Sequence, residues 1–155
     1  MLFRSDVVLA IDLCFENQKS LQVLPICELP THIVVPQDHP LACSKDSCLA
    51  DFASDVFISC SDAPGEKYVR SVFEGCETIP EVILAPDMET EILWVESCRG
   101  LAFSNPYNMM SNSPALTEVY PRDLGPRSFA AAWRQDNPNT LVELFVSILK
   151  RRMEE

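Results

Sequence analysis

Residues 31–60 read THIVVPQDHPLACSKDSCLADFASDVFISC, and the alternation in this stretch decides the fold. The apolar run IVV stops at Pro36, because proline cannot donate to a strand ladder. Pro40 biases His39 toward extended backbone. His39-Pro40 therefore reads as a turn, not as a catalytic pair, and it feeds the short helix LADF, with Ser47 as the expected N-cap. A second apolar run, DVFISC, follows at 55–60. Strand, short helix and strand in this order open an α/β unit rather than a bundle or a sandwich.

The pattern extends in both directions. Upstream, DVVLAIDL (6–13) is an apolar run of strand length, expected to be buried. LQVLPICEL (21–29) carries Pro25 in mid-run, which makes it an edge or crossing strand. Downstream of the loop SDAPGE, residues 66–74 place Val69, Val72 and Phe73 on one helical face, with Gly75 at the C′ position. PEVILAP (80–86) is a strand. Asp87 then caps a helix to about Cys98 that is expected to bury Met88, Ile92 and Val95.

GLAFSN (100–105) is a further strand, and Pro106 is placed at N1 of a short helix. LTEVYP (116–121) and SFAAAWR (128–134) are two more strands. Asn137 and Pro138 start the last helix, which runs to about Arg152 with a stripe of Leu141, Leu144, Phe145, Ile148 and Leu149. The class is α/β, with a mostly parallel sheet expected.

Composition narrows the functions. The chain has 155 residues, 12 Lys+Arg against 23 Asp+Glu and a net charge of −11. A phosphate backbone would repel it, so nucleic acid is not expected to bind these residues unaided. Lys150-Arg151-Arg152 sit where they complement a helix dipole. The seven cysteines form no CxxC pair, and runs such as FISC and PIC treat the thiol as a small hydrophobe. They read as reduced thiols of a cytoplasmic protein, without a metal or other cofactor. No apolar run is long enough to span a membrane, and the acidic Asp12 makes the first run a poor signal peptide. Residues 1–5 fit neither the following strand nor a cap and read as a junction, with the gene starting further upstream.

The order of landmarks DVVLAI, IVVPQDHPLA, LADF, VFISC, VFEGC, IPEVILAPDMETEILWV, GLAFSNP and FAAAWRQDNPNTLVELFVSIL resembles the effector-binding domain of LysR-type transcriptional regulators. HPLA and WRQDNP are the most specific pieces. The resemblance covers about residues 6–153 and implies a two-lobed fold like that of type 2 periplasmic binding proteins. On that fold, residues 30–126 are expected to form a complete lobe II. Residues 6–29 and 127–155 are expected to form a partial lobe I. The family's winged helix-turn-helix, its linker helix and the first part of lobe I are not found in this sequence. Where the family has a glycine pair the chain has SCRG, so Cys98 is expected to carry a strained left-handed backbone.

Open α/β sheets bind ligands at the carboxyl ends of their strands. Two such ends, ISCSDAPGE and FSNP, nominate Ser59, Cys60, Ala63, Pro64, Gly65, Glu66, Ser104 and Asn105 as ligand-binding residues. Helix starts there favour an anion, but Asp62 and Glu66 would cancel part of that field and leave room for a cationic or neutral ligand. The expected function is sensing of a small-molecule effector in the cleft between lobes by a homo-oligomeric regulator that reaches DNA only through its missing domain. The alternative is a free-standing solute-binding protein or an enzyme on the same fold. No Ser/His/Asp, Cys/His, P-loop or GxGxxG constellation supports an enzyme.

Overall fold

The structure is a computed structural model that describes residues 6–11, 19–60 and 65–153. Its contacts divide into two units, Met1–Leu29 with Arg127–Glu155, and Pro30–Pro126. Residues 1–5 and 61–64, Ala63 and Pro64 among them, lie outside the described residues.

In the first unit, β1 (Val7–Ile11) and β2 (Leu21–Leu29) flank β8 (Arg127–Arg134), and both pair with it antiparallel. Pro25 sits on β2 at the edge of the described sheet, as its proline predicts, and the register shifts between Pro25 and Cys27. The centre of the sheet is Ala130, Ala131 and Ala132, all buried. β1 is less buried than its apolar run predicts: Leu9 is half exposed because β1 lies at the other edge.

The last helix, α3 (Leu141–Met153), starts three residues later than Asn137 as N-cap and Pro138 at N1 predict. The Asn137 amide donates to Asp6, while Asn139 Oδ1 accepts the Leu141 N–H at 3.1 Å. The helix buries Val142 and Val146, and Leu141, Leu144, Phe145 and Ile148 of the expected stripe stay exposed.

The second unit contains β3 (His32–Pro36), β4 (Val56–Cys60), α1 (Gly65–Val72), β5 (Glu81–Ala85), α2 (Met88–Glu96), β6 (Ala102–Ser104) and β7 (Leu116–Val119). A parallel bridge at Phe57 and Leu101 joins β4 to β6, so the strands follow in the order β5-β4-β6-β3-β7. The pairs β4–β5 and β4–β6 are parallel, but β3 runs against both β6 and β7. The expectation of a mostly parallel sheet is therefore corrected. Helices connect the parallel strands, as parallel pairing needs. The two antiparallel strands, β3 and β8, each enter their sheet straight after the chain passes between units.

Side chains alternate across this sheet. Ile33, Val35 and Phe57 face one core, with Phe52, Val69 and Phe73. Val34, Ile58 and Ala102 face the other, with Ala85, Val95 and Met110. α1 thus covers one face and α2 the opposite one.

Several caps differ from expectation. LADF is a 3-10 helix capped at Cys48 rather than Ser47: the Asp51 carboxylate accepts the Cys48 N–H, and Asp123 accepts the Leu49 N–H, both at 2.8 Å. Met88 is exposed on α2, while Val95 is buried as expected. Asp87 does cap α2. Gly75 has no positive φ, so it is not a left-handed C′ residue. Of the six cysteines described, none is in a disulfide; Cys27, Cys43 and Cys98 are exposed, Cys48, Cys60 and Cys76 are half-buried, and Cys76 packs against the core of the α1 face.

Cys98 has φ of 56°. Its N–H reaches Val95 O and the Arg99 N–H reaches Trp94 O, both at 3.0 Å, which is a Schellman ending with cysteine at the left-handed position. The Arg99 guanidinium lies 4.5 Å over the Trp94 ring and closes the motif. Cys98→Gly should therefore raise stability by about 1 kcal/mol. Urea unfolding followed at Trp94 checks this, with Cys98→Ser as the unchanged control. Equal midpoints for the glycine variant and the parent would show that the backbone carries no such cost.

Candidate functional site

Because β4, β5, β6 and β7 run the same way and β3 runs opposite, one edge of the second unit's sheet gathers Cys60, Ala85, Ser104 and Val119 with the start of β3 at His32. Most sequence-predicted ligand residues belong to this edge, but they do not all share a face. Ser59 lies on the α1 side. Its Oγ sits 1.7 Å from where a Cβ on Gly65 would be, so the chain can enter α1 this closely only through glycine.

Cys60 lies on the α2 side and donates its thiol hydrogen to Glu91 Oε2 at 2.7 Å. Ser104 is buried on that same side, opposite His32 in the β3–β6 register. Glu66 is drawn along α1 by Arg70, with N–O distances of 3.0 Å, so its carboxylate does not compete with the helix start as a bare charge.

Asn105 is held by its own turn. Its Oδ1 accepts the Tyr107 N–H at 2.9 Å, the next helical turn begins only at Met109, and Asn108 caps it. The helix start expected at Pro106 is therefore absent. The 3-10 piece Met109–Asn112 is too short to offer an anion site at Asn105.

His39 serves the turn as expected. Its Nδ1 accepts the Leu41 N–H at 3.2 Å, its Nε2 lies 3.5 Å from Asp55, and its ring stacks on Phe52. It lines a cavity of about 420 Å³ with Asp55, Cys98 and Arg99. A second cavity of about 350 Å³, in the first unit, is lined by Trp133, Asn137, Thr140 and Lys150. Neither contains a predicted ligand residue.

The sequence reading missed a cluster beside Ser104. His32 is fully buried, with its Nε2 3.4 Å from Glu118 Oε1 and its ring 5.1 Å from that of Tyr120. The Tyr120 hydroxyl donates to Glu118 Oε2 at 2.6 Å. That bond, burial and the nearby negative charge push the phenol up to about 12. Neither ring nitrogen of His32 has a hydrogen-bond partner among the described residues. Burial lowers the His32 pKa, and the Glu118 charge offsets only part of that shift.

The ring is thus neutral in the folded state, while the unfolded chain takes up a proton as pH falls through about 6.5. His32 contributes stability above that pH and loses it as pH falls toward the lowered value. Urea midpoints at pH 7.5 and 5.5 should show a larger acid loss for the parent than for His32→Gln. Equal losses would remove His32 from the account. A signal for this cluster does exist in the sequence: His32 is a polar residue at the head of an apolar run, and Glu91 interrupts the apolar face of α2, where it too is buried.

Among the described residues no helix is long and apolar enough to cross a membrane, and no three His, Cys, Asp or Glu side chains are grouped to hold a metal ion. No curated protein matches the chain significantly. Among solved structures, the effector binding domain of QuiR in complex with shikimate superposes with a TM-score of 0.80 at 17% identity, covering 96% of this chain and 72% of that one. The Synechocystis CcmR regulatory domain in complex with 2-PG gives 0.78 at 15%, covering 98% and 75%. HinK, a LysR family transcriptional regulator from Pseudomonas aeruginosa, gives 0.74 at 18%, covering 97% of this chain and 53% of its own. At these identities the likeness is one of fold, and it is the fold of LysR effector-binding domains, like that of type 2 periplasmic binding proteins. Residues 3–154 match the LysR substrate binding domain, and the chain belongs to that family.

Proposed function

We propose that the chain is the effector-sensing part of a LysR-type transcriptional regulator. The carboxyl-terminal edge of the second unit's sheet forms one wall of the effector site, and Ser59, Cys60, Gly65 and Ser104, with Ala63 and Pro64 of the adjoining loop, contribute to it. The effector is a small organic molecule. Its binding biases the regulator between conformations and so changes how a DNA-binding domain, supplied by other residues of a homo-oligomeric protein, meets its target. No residue in this account performs a chemical step. The units Met1–Leu29 with Arg127–Glu155 and Pro30–Pro126 are read as a partial lobe I and a complete lobe II.

The observation that carries this reading is the convergence of Cys60, Ser104 and His32 on one face of that edge, in a chain whose residues 3–154 match the LysR substrate binding domain. Support for the ligand class comes from QuiR and CcmR, which were solved with shikimate and 2-PG.

A thermal-shift screen of small metabolites, shikimate and 2-PG included, tests it. A ligand at a hundredfold over its Kd should raise Tm by about 5–10 °C. Ser104→Val should remove most of that gain. Equal binding by Ser104→Val would move the site elsewhere, and no stabilisation by any compound would sink the reading.

A further inference from the structure

We infer that the first unit carries a separate ligand site, in the cavity between β8 and α3, for a small molecule with an ammonium at one end and a carboxylate at the other. This does not depend on reading the second unit's sheet edge as the effector site. The cavity measures about 350 Å³, within the range of about 300–1,000 Å³ that small-molecule sites occupy. Trp133, Val142 and Val146 supply its apolar lining. Gln22 stands opposite Trp133 in the β2–β8 register, so both side chains point to one face of the sheet, and both line the cavity with α3.

The charges of the cavity set the class of ligand. Glu143 and Lys150 both line it. They are two helical turns apart on α3, so they share one face of the helix and lie about 10 Å from each other along its axis. Neither makes a hydrogen bond or an ion pair with any described residue. Arg134, the other charged residue of the lining, is closed off by Asp136 through bonds of 2.9 and 2.7 Å.

An acid in the first turn and a base in the last also suit the helix dipole. The dipole does not require them to share a face or to meet a cavity. Of the three basic residues in the last turn, only Lys150 reaches the lining. A ligand carboxylate placed at Lys150 and an ammonium at Glu143 would each make a charge-assisted bond of about 2.8 Å. That leaves about 5–7 Å between the ligand's own charges, which is the span of a dipeptide or of an ω-amino acid. Its apolar middle would rest on the Trp133 ring.

The chain has two tryptophans, so Trp94→Phe leaves fluorescence from Trp133 alone and makes the readout local to the cavity. In that background, 6-aminohexanoate, hexanoate and hexylamine present one carbon chain with both charges or either one. The zwitterion 6-aminohexanoate should bind about tenfold or more tightly than each of the others. Lys150→Met should erase its advantage over hexylamine and keep its advantage over hexanoate. Glu143→Gln should do the reverse. Arg151→Met, a charge of the same helix outside the lining, should leave all three affinities unchanged.

Four results overturn the inference. Hexylamine binding as tightly as 6-aminohexanoate would reduce it to the general attraction of an acidic protein for cations. Preferences that stay the same in Lys150→Met or in Glu143→Gln would remove that residue from the site, and with it the two-ended recognition. A loss in Arg151→Met equal to that in Lys150→Met would show a diffuse field. No response of Trp133 to 6-aminohexanoate up to its solubility would leave the cavity without this ligand class.

Discussion

Phe57→Ala should lower the stability of the second unit by about 3–5 kcal/mol, a large share of what a domain of this size possesses. Phe57 is fully buried on the α1 face of β4. Its ring stacks on Phe103 at 4.9 Å between centroids and meets the edge of Phe73 at 5.3 Å, while Tyr68 meets Phe103 edge-on at 5.1 Å. Removing one ring from this group forfeits its apolar burial and two aromatic contacts, and it leaves a cavity that β4, bonded on both sides, cannot collapse to fill.

The two tryptophans make the measurement local, since Trp94 belongs to α2 and Trp133 to β8. A Trp133→Phe background leaves fluorescence that reports the second unit alone. The urea midpoint at Trp94 should fall steeply with Phe57→Ala, whereas Phe57→Leu should lose much less. A loss under about 1 kcal/mol would mean that these rings are not packed as described.

Much of this architecture was legible because it depends on short-range chemistry. The apolar runs at β3 and β5 end at Pro36 and Pro86, and Asp87 caps α2 through a bond to Thr90 N–H three residues on. The strained Cys98 was legible too, since the residue type conflicts with the conformation its position in the helix ending requires. What failed depends on partners far along the chain. Asn137 does not cap α3: its Oδ1 accepts the Asn139 N–H at 2.9 Å, and its amide donates to Asp6 at the other end of the sequence. Ser47 does not start its helix because Asp51 and the distant Asp123 bond the N–H groups of Cys48 and Leu49.

Strand direction was equally hidden. An apolar run has the same pattern read either way, so nothing local distinguishes the antiparallel β3 and β8 from their neighbours. The same limit applies to the candidate site. Ser59, Cys60 and Ser104 could be nominated as strand ends. That Ser59 turns toward α1 while Cys60 and Ser104 turn toward α2 follows from residue parity once the pairing is known. The cluster of His32, Glu118 and Tyr120 needs the β3–β7 pairing itself, across more than eighty residues. Its members are ordinary in isolation.

Gly100→Ala is the sharpest test of the bridge that makes one sheet of the second unit. A Cβ on Gly100 would lie 2.6 Å from the carbonyl oxygen of Val56 and 3.0 Å from Ile58 Cγ1. The obstacle is backbone, which cannot swing aside as a side-chain tip can. That same carbonyl accepts the Leu101 N–H at 2.8 Å, and the Ile58 N–H donates to Leu101 O at 2.7 Å. The methyl group must therefore push β6 from β4 just where the two are joined. The expected cost is about 2–4 kcal/mol, from overpacking and weakened hydrogen bonds.

Gly75→Ala and Gly125→Ala meet nothing within 4 Å and have no positive φ, so they should be neutral or slightly stabilising. The consequence extends to the site, because Ser104 ends the strand that would move and Cys60 ends the one it leaves. Hydrogen exchange at the Leu101 and Ile58 amides should accelerate in Gly100→Ala well beyond the parent, and ligand affinity should fall with it. A Gly100→Ala protein as stable as Gly75→Ala, with both amides still protected, would mean that β4 and β6 do not approach this closely and that the strand ends carrying Cys60 and Ser104 are not held side by side.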